Sequence, residues 1–523
     1  MNLSLELMLQ LTIIIPFLAT LAIVATGHKP NLREGVTITA CLVLIYLVVN
    51  LYQGLLLGNS ISVFWWELLP GLSISFDIEP LGMLFALIAS FLWLITTFYA
   101  IGYMRSHAEK NQTRFYLCFA IAISAVMGIA FSANLFTLFI FYEVLTLSTY
   151  PLVTHAGTEK AKKGGRIYLG ILLSTSIVFL LLAITSTWFV AGTLEFNLGG
   201  IFSEDVDKTV AGVLLVLFIF GIGKAAIMPF HRWLPAAMVA PTPVSALLHA
   251  VAVVKAGVFT ILKVCVFIFG IDLLAVLPTT QFLLYLAGAS VLLASFIAMR
   301  QDNLKARLAY STVSQLGYIT IGALLATSSG VIGSSMHIAT HAFGKITLFF
   351  CAGAILVSLH KSKISEMRGI GKQMPLTMIA FFIGSLSIIG VPPTGGTWSK
   401  WFLMMGTIET EQWVLMMILM LSSLLNIAYL LPIPFHAFFP NLSLNKALKK
   451  ALNSTSSKET NATSNNATEQ VAPSGMTLTK SQIKEAPLPS LIAIGVTTLG
   501  CLVIFIYPQP LYELATAVLT GGK

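Results

Sequence analysis

Six ionisable side chains lie where a charge is expensive. Glu143 stands in FTLFIFYEVLTLSTYPLV, Lys224 in VLFIFGIGKAAIMPF, Lys255 and Lys263 in HAVAVVKAGVFTILKVCVF, Lys345 in MHIATHAFGKITLFF and Lys400 in GVPPTGGTWSKWFLMM. Each stretch is apolar over most of its length, and a charged side chain at mid-bilayer costs roughly 2.5–3.5 kcal/mol on insertion scales. Groups that persist at such depth face a bundle interior or a wet cavity and mark ion or proton routes. Carboxylate, ammonium and imidazole can each take up and release a proton. The chemistry on offer is proton carriage.

Two of these positions sit beside helix breakers. Pro229 follows Lys224, with Pro235, Pro241 and Pro243 beyond it, and Lys400 follows Pro392, Pro393, Gly395 and Gly396. Proline removes a backbone donor and ends or kinks a helix. Backbone freed at membrane depth is tolerated only where protein or a water-lined cavity satisfies it, and a broken helix beside a buried charge is a construction of transporter sites. Glu143 is the acid placed deep in a span, so it is the expected counter-charge for Lys224. His249 lies six residues before Lys255, about 120° from alignment on a regular helix. Imidazole changes charge near neutral pH, which suits His249 to relay a proton.

His337, His341 and Lys345 fall at i, i+4 and i+8, one stripe down a helix. Two histidines four apart also suit a metal, but no carboxylate or cysteine stands near to complete a site. The stripe therefore reads as a proton wire, and neither a metal nor a cofactor is expected. Lys263, toward the outer end of its span, reads as a side chain that snorkels to the interface.

The elements that position these groups must be membrane spans. Of 523 residues, 57% are hydrophobic and 10% charged, against about 25% charged in soluble domains. Repeated apolar stretches of 18 or more residues satisfy the length of a spanning helix, and about fourteen transmembrane helices are expected. The net charge of +9 is dispersed between the spans, which argues against a nucleic-acid partner. All five cysteines fall inside apolar segments without a CxxC pair, which argues against a disulfide framework, a zinc site or an iron–sulfur cluster. No Lys or Arg precedes Lys29, so the first segment reads as a retained span and not a signal peptide.

Alternating spans with the N-terminus outside place 23 of the 30 Lys and Arg residues in cytoplasmic loops. That asymmetry obeys the positive-inside rule and puts both termini outside. Lys224 and Lys400 lie five spans apart, in the seventh and twelfth. The odd offset makes two five-span blocks of opposite orientation, the pattern of inverted-repeat transporters.

At these motifs the chain resembles a known family: the antiporter-like membrane subunits shared by respiratory complex I and Mrp-type cation/proton antiporters. The resemblance rests on FYEVLTLSTYPLV, KAAIMPFHRWLPAAMVAPTPVSALLHAVAVVKAG, LKARLAYSTVSQLGY, HIATHAFGKITLFFCAG and GVPPTGGTWSKWFL, and runs from about residue 80 to 435. It implies an all-α polytopic membrane protein with two inverted five-helix repeats, each containing a broken helix. The implied division is 1–108 for helices one to three, 109–270 for the first repeat and 271–438 for the second. A flexible polar cytoplasmic loop at 439–486 and a last helix within 487–523 complete the chain.

The resemblance also implies roles. Glu143 matches the glutamate of the fifth span and Lys224 the lysine it pairs with. Lys255, with His249 nearby, matches the lysine of the eighth. His337, His341 and Lys345 match the histidine-bearing eleventh span, and Lys400 the charge of the twelfth. In one complex I branch that last charge is usually glutamate, so Lys400 departs from it. YEVLTLSTYPLV followed by GGRIYL looks more like the D-type subunit of an Mrp antiporter. The implied function is proton translocation within a monovalent cation (Na+)/proton antiporter of a bacterial inner membrane, with other membrane subunits as partners. Two alternatives remain: a proton-pumping subunit of a complex I-type NADH:quinone oxidoreductase or related redox complex, and a coupling subunit for inorganic-carbon uptake.

Overall fold

The computed structural model describes residues 3–440 and 483–521. Most of the expected polar loop at 439–486 lies outside the described residues. The first four long helices are α1 (Leu5–Ala25), α2 (Pro30–Leu56), α3 (Pro80–Ser106) and α4 (Gln112–Ala130). Between α2 and α3 the chain departs from an all-helical plan with an antiparallel hairpin, β1 (Ser62–Leu69) and β2 (Leu72–Asp77). Its signal is local: an aromatic and β-branched run on each side of Pro70-Gly71. Gly71 takes φ +82, the value that favours glycine at the third position of a type II turn.

Next come α5 (Leu135–Val153), α6 (Glu159–Ala191) and α7 (Lys208–Gly221). The Asn134 side chain caps α5 by accepting from the Thr137 amide at 2.8 Å. Helix α8 (Thr242–Phe269) then runs through the middle of the bundle, its most apolar stretch wholly buried. His249, Lys255 and Lys263 all lie on α8, and ionisable groups at such depth face a bundle interior. It contains π-helical turns at Leu247–Val251 and Cys265–Phe269, so the even spacing assumed for His249 and Lys255 does not hold along it.

The second half contains α9 (Pro278–Arg300), α10 (Leu304–Leu324), α11 (Ser328–Leu359), α12 (Pro375–Ile389), α13 (Gly396–Glu409) and α14 (Trp413–Phe438). Helices α15 (Leu488–Ile506) and α16 (Gln509–Thr520) follow. Helix α16 is additional to the single last helix expected within 487–523. Among the described residues, 11 helices are long and apolar enough to cross a membrane. Helices α7 and α12, each of which ends at a break, are shorter apolar helices. Helix α10 is more polar, because Ser311, Thr312, Ser314 and Gln315 line it, all buried.

Both breaks are real, and the first is displaced from its expected position. Helix α7 stops at Gly221, a 3₁₀ turn covers Gly223–Ala225, and Ala226 has φ +55. Lys224 thus sits in the break itself, not inside a helix that ends at Pro229. Proline's ring clashes with the carbonyl four residues earlier, here Ala225, which excludes helix just before Pro229; the stop at Gly221 is further upstream, where Gly221 and Gly223 flank Ile222. Gly257 on α8 completes the arrangement. A Cβ there would fall 2.3 Å from the Ala225 nitrogen and 2.4 Å from the Lys224 carbonyl carbon. Only glycine lets the broken segment lie directly on α8.

Candidate functional site

Lys224 is fully buried, and the 3₁₀ turn aims its side chain at α5. Nζ donates to the Tyr142 carbonyl at 2.8 Å and to Thr146 Oγ1 at 2.6 Å, and sits 3.0 Å from the centroid of the Tyr142 ring. Tyr142 and Thr146 are one turn apart and share a face; Glu143 is the next residue round the helix. Its two carboxylate oxygens are buried without a protein hydrogen-bond partner. No ion pair joins it to Lys224 among the described residues. The expected partners are therefore neighbours across one helical step, and the lysine is held by a carbonyl, a hydroxyl and an aromatic face.

Deeper in the bundle, Lys255 on α8 meets the histidine stripe of α11. Its Nζ lies 2.6 Å from His341 Nδ1, a contact between residues 86 positions apart. With the ammonium donating, Nδ1 accepts and the ring proton of a neutral His341 resides on Nε2. That Nε2 has no protein partner. His337, one turn away with ring centroids 5.9 Å apart, places Nδ1 2.9 Å from Ser399 Oγ on α13. His249 behaves differently. It sits in the first π turn of α8 beside the Phe349 ring at 4.6 Å, with both nitrogens unpartnered by protein.

Lys345 and Lys400 end two branches of this line. Lys345 Nζ donates to Ser311 Oγ at 2.6 Å and to the Leu308 carbonyl at 3.3 Å, and Tyr429 donates to the same Ser311 oxygen at 3.0 Å. Lys400 Nζ donates to the Ile389 carbonyl at 2.9 Å and to Ser423 Oγ at 3.0 Å, and lies 4.7 Å from the Tyr318 ring. The Ile389 carbonyl is available because α12 ends there, at Gly390 with φ +84. A Cβ at Gly390 would come 2.6 Å from Lys400 Cδ. The second break thus frees an acceptor and makes room for the side chain that uses it. Tyr318 stacks on His337 at 5.8 Å, which brings the Lys400 branch back to the histidines.

Lys263 corrects its expected role. It does not snorkel; its side chain is 1% exposed. Nζ forms an ion pair with Glu79 Oε1 at 2.7 Å and donates to the Ser132 carbonyl at 2.7 Å. Glu79 immediately precedes α3, so the pair ties the hairpin end of α8 to the start of α3. Burial pushes the Glu79 carboxyl above the usual carboxylate range, and the Lys263 ammonium opposes that shift. Removing one partner of a buried pair leaves an uncompensated charge. Glu79→Ala is therefore expected to destabilise the protein by about 3 kcal/mol. The double variant Glu79→Gln, Lys263→Met should recover most of that loss, as thermal unfolding in detergent would reveal. An unchanged midpoint for the single variant would show that the pair contributes nothing.

The sequence did not single out Tyr142, Thr146, Ser311, Tyr318, Ser399, Ser423, Tyr429 or Glu79. Two signals were present. Tyr142 and Ser399 adjoin the charged residues Glu143 and Lys400, and YSTVSQLGY at 310–318 is too polar for a lipid-facing span. No periodicity pairs Ser423 with Lys400 or Glu79 with Lys263, because those partners come from different helices.

The fold and the site define a polytopic helical membrane protein of transporter type, with two interrupted helices and lysines held at depth. Residues 132–426 match the family described as "NADH:quinone oxidoreductase/Mrp antiporter, TM", and residues 69–116 match the N-terminus of chain 5 of NADH-ubiquinone oxidoreductase (complex I). NADH-quinone oxidoreductase subunit N of Desulforudis audaxviator is 32% identical over 437 residues, which cover 83% of this chain and 86% of that protein. The chloroplastic NAD(P)H-quinone oxidoreductase subunit 5 of Amborella trichopoda is 31% identical over 368 residues, 66% of this chain. Those residues span only 48% of that longer relative.

Two solved structures share the fold. One is the Mrp complex from Dietzia sp. DQ12-45-1b, with TM-score 0.82, 22% identity and coverage of 99% of this chain and 97% of the matched one. The other is the membrane-bound sulfane sulfur reductase, an archaeal respiratory membrane complex, with TM-score 0.81, 22% identity and coverage of 98% and 97%. The chain belongs to the NADH:quinone oxidoreductase/Mrp antiporter family and is an antiporter-like membrane subunit of it.

Proposed function

We propose that this chain carries protons through the membrane as one subunit of a multisubunit monovalent cation/proton antiporter, with Na+ as the cation. The observation that carries the reading is the contact between Lys255 and His341, which joins α8 to α11 in the middle of the bundle. Under the inverted-repeat division at about residue 270, that contact bridges the two halves. A proton on the Lys255 ammonium can move along the 2.6 Å contact to His341 Nδ1 while Nε2 releases one, so imidazole passes charge without travelling. Glu143 and Lys224 form the charged group at one end of the line. Lys345 and Lys400 form the other, with His249 and His337 beside the route.

Buried polar atoms are normally paired, and an unpaired one costs about 1–3 kcal/mol unless water meets it. Glu143, His249, Gln315, His337 and His341 all present such atoms. Water meeting these atoms would hydrate the route between the charged groups, as buried water does for unpaired polar atoms.

The likeness to the Mrp complex over 99% of this chain supports the antiporter reading. We propose a bacterial inner membrane as the location of the assembly and other membrane subunits as partners; the loop charge distribution supports both termini outside. The second reading is a proton-pumping subunit of a redox complex, favoured by the 32% identity to an NADH-quinone oxidoreductase subunit.

One preparation separates the two. The native assembly, purified and reconstituted in vesicles, is expected to contain further membrane subunits and to acidify or alkalinise the lumen when a Na+ gradient is imposed. Stoichiometric flavin absorbance with NADH-driven proton movement, and no response to Na+, would decide for the redox complex.

A further inference from the structure

The geometry points to a binding site for one anionic phospholipid, in the groove between α1 and α2 and under the turns that join α1 to α2 and α3 to α4. Two adjoining recesses make it. One, of about 770 Å³, is lined by His28, Lys29, Asn31, Arg105 and Gln112 at the ends of α2, α3 and α4. The other, of about 540 Å³, runs along the lipid-facing seam of α1 and α2 and is lined by Leu18, Ala22, Val36, Ala40 and Val43. Asn31 and Leu32 line both, so a polar recess opens into an apolar one. Each falls within the roughly 300–1,000 Å³ of ordinary ligand pockets. A headgroup above an acyl chain has this order of polarity.

Charge selects the class of headgroup. Glu34 is the acid buried under the polar recess, and it is shared by Arg33 at 3.5 Å and by Arg105. Lys29 adds a third permanent cation and is exposed. Three cations against one carboxylate leave the recess positive. The next acid on that side, Glu109, contacts His107 at 3.2 Å, and counted in full it still leaves three cations against two carboxylates. Hydrogen bonds hold the basic groups in place: Arg105 Nη2 donates to Asn31 Oδ1 at 2.6 Å, and Arg33 Nη2 to Gln112 Oε1 at 2.8 Å. Basic pockets between helix ends at the membrane surface suit the phosphates of anionic lipids, each of which carries its acyl chains in the right direction. A neutral zwitterion would meet the same groove without the charge match.

Gly35 stands on the lipid side of α2, where an added Cβ would meet no atom within 4 Å. Its open space belongs to the groove, so a larger side chain there would fill the acyl position without displacing protein. The full assembly, exchanged into detergent with equal amounts of dioleoyl phosphatidylglycerol and phosphatidylcholine, is examined by native mass spectrometry. The wild type is expected to retain one phosphatidylglycerol in clear preference. Lys29→Glu should lower that retention about tenfold, and Gly35→Phe should abolish it while the protein still elutes as one species. If Gly35→Phe does not accumulate, Thr39→Phe, one turn along the exposed face, reads the same groove. Equal retention of both lipids, retention unaffected by the groove variant, or full displacement by inorganic phosphate alone would each overturn the site.

Discussion

Lys224→Ala is expected to reduce Na+-driven proton movement in vesicles to background, at least about a hundredfold below wild type, while the protein remains in the membrane. The size of the effect follows from what holds the side chain. Nζ makes two hydrogen bonds and one ring contact to α5 from a segment that is not helical. Removing it takes away the ammonium held beside Glu143 at the Tyr142 carbonyl, and the Glu143 oxygens have no protein donor. A buried carboxylate left without its counter-charge is costly, so the paired arrangement on which the proposed proton site rests is lost. Glu143→Ala should be equally silent, because the remaining ammonium would then face only neutral acceptors. A purely packing role predicts instead that stability falls while transport per folded molecule survives. Wild-type rates in both variants would end the proposal that this pair takes part.

The second large effect is expected at the crossing between α8 and α11. His341→Ala should cut transport by about two orders of magnitude, because a proton transfer group in hydrogen-bond reach is worth roughly a hundredfold or more. Lys255→Ala should do the same. Since the two groups act through one 2.6 Å contact, the double variant should be no worse than either single one. Groups that act independently would multiply their losses, and residues in one network do not. Multiplicative losses would mean that Lys255 and His341 serve different steps and that their contact is structural. His337→Ala, whose ring holds Ser399 but touches no lysine directly, should lose less than His341→Ala.

What could be read in the sequence was whatever insertion cost makes conspicuous. Glu143, Lys224, Lys255, Lys345 and Lys400 stand out because lipid depth penalises each of them, and prolines beside two of them announce broken helices. The stripe of His337, His341 and Lys345 needs only helical periodicity. What could not be read depends on rotation and depth of one helix against another. Lys263 carried the same signal as Lys255, yet its partner lies 184 residues away at Glu79, in a turn that no spacing rule connects to it. The rule that long basic side chains reach for the interface gave the wrong answer there because an acid had been brought to the lysine. Likewise the first break opens at Gly221, further upstream of Pro229 than the one turn on which proline acts. The π turn around His249 has no composition signature, so its orientation was not available from residue spacing.

The ion pair between Lys263 and Glu79 has a consequence for vertical placement. Glu79 follows a hairpin that carries Trp65 and Trp66 partly or largely exposed, and tryptophan prefers the headgroup boundary. The salt link ties the central helix to the end of the hairpin that carries those rings. Lys255 stands eight residues along α8 from that link, about 12 Å of helical rise, close to half of a hydrocarbon layer about 30 Å thick. The hairpin and the meeting of Lys255 with His341 are thereby held at a fixed spacing along α8.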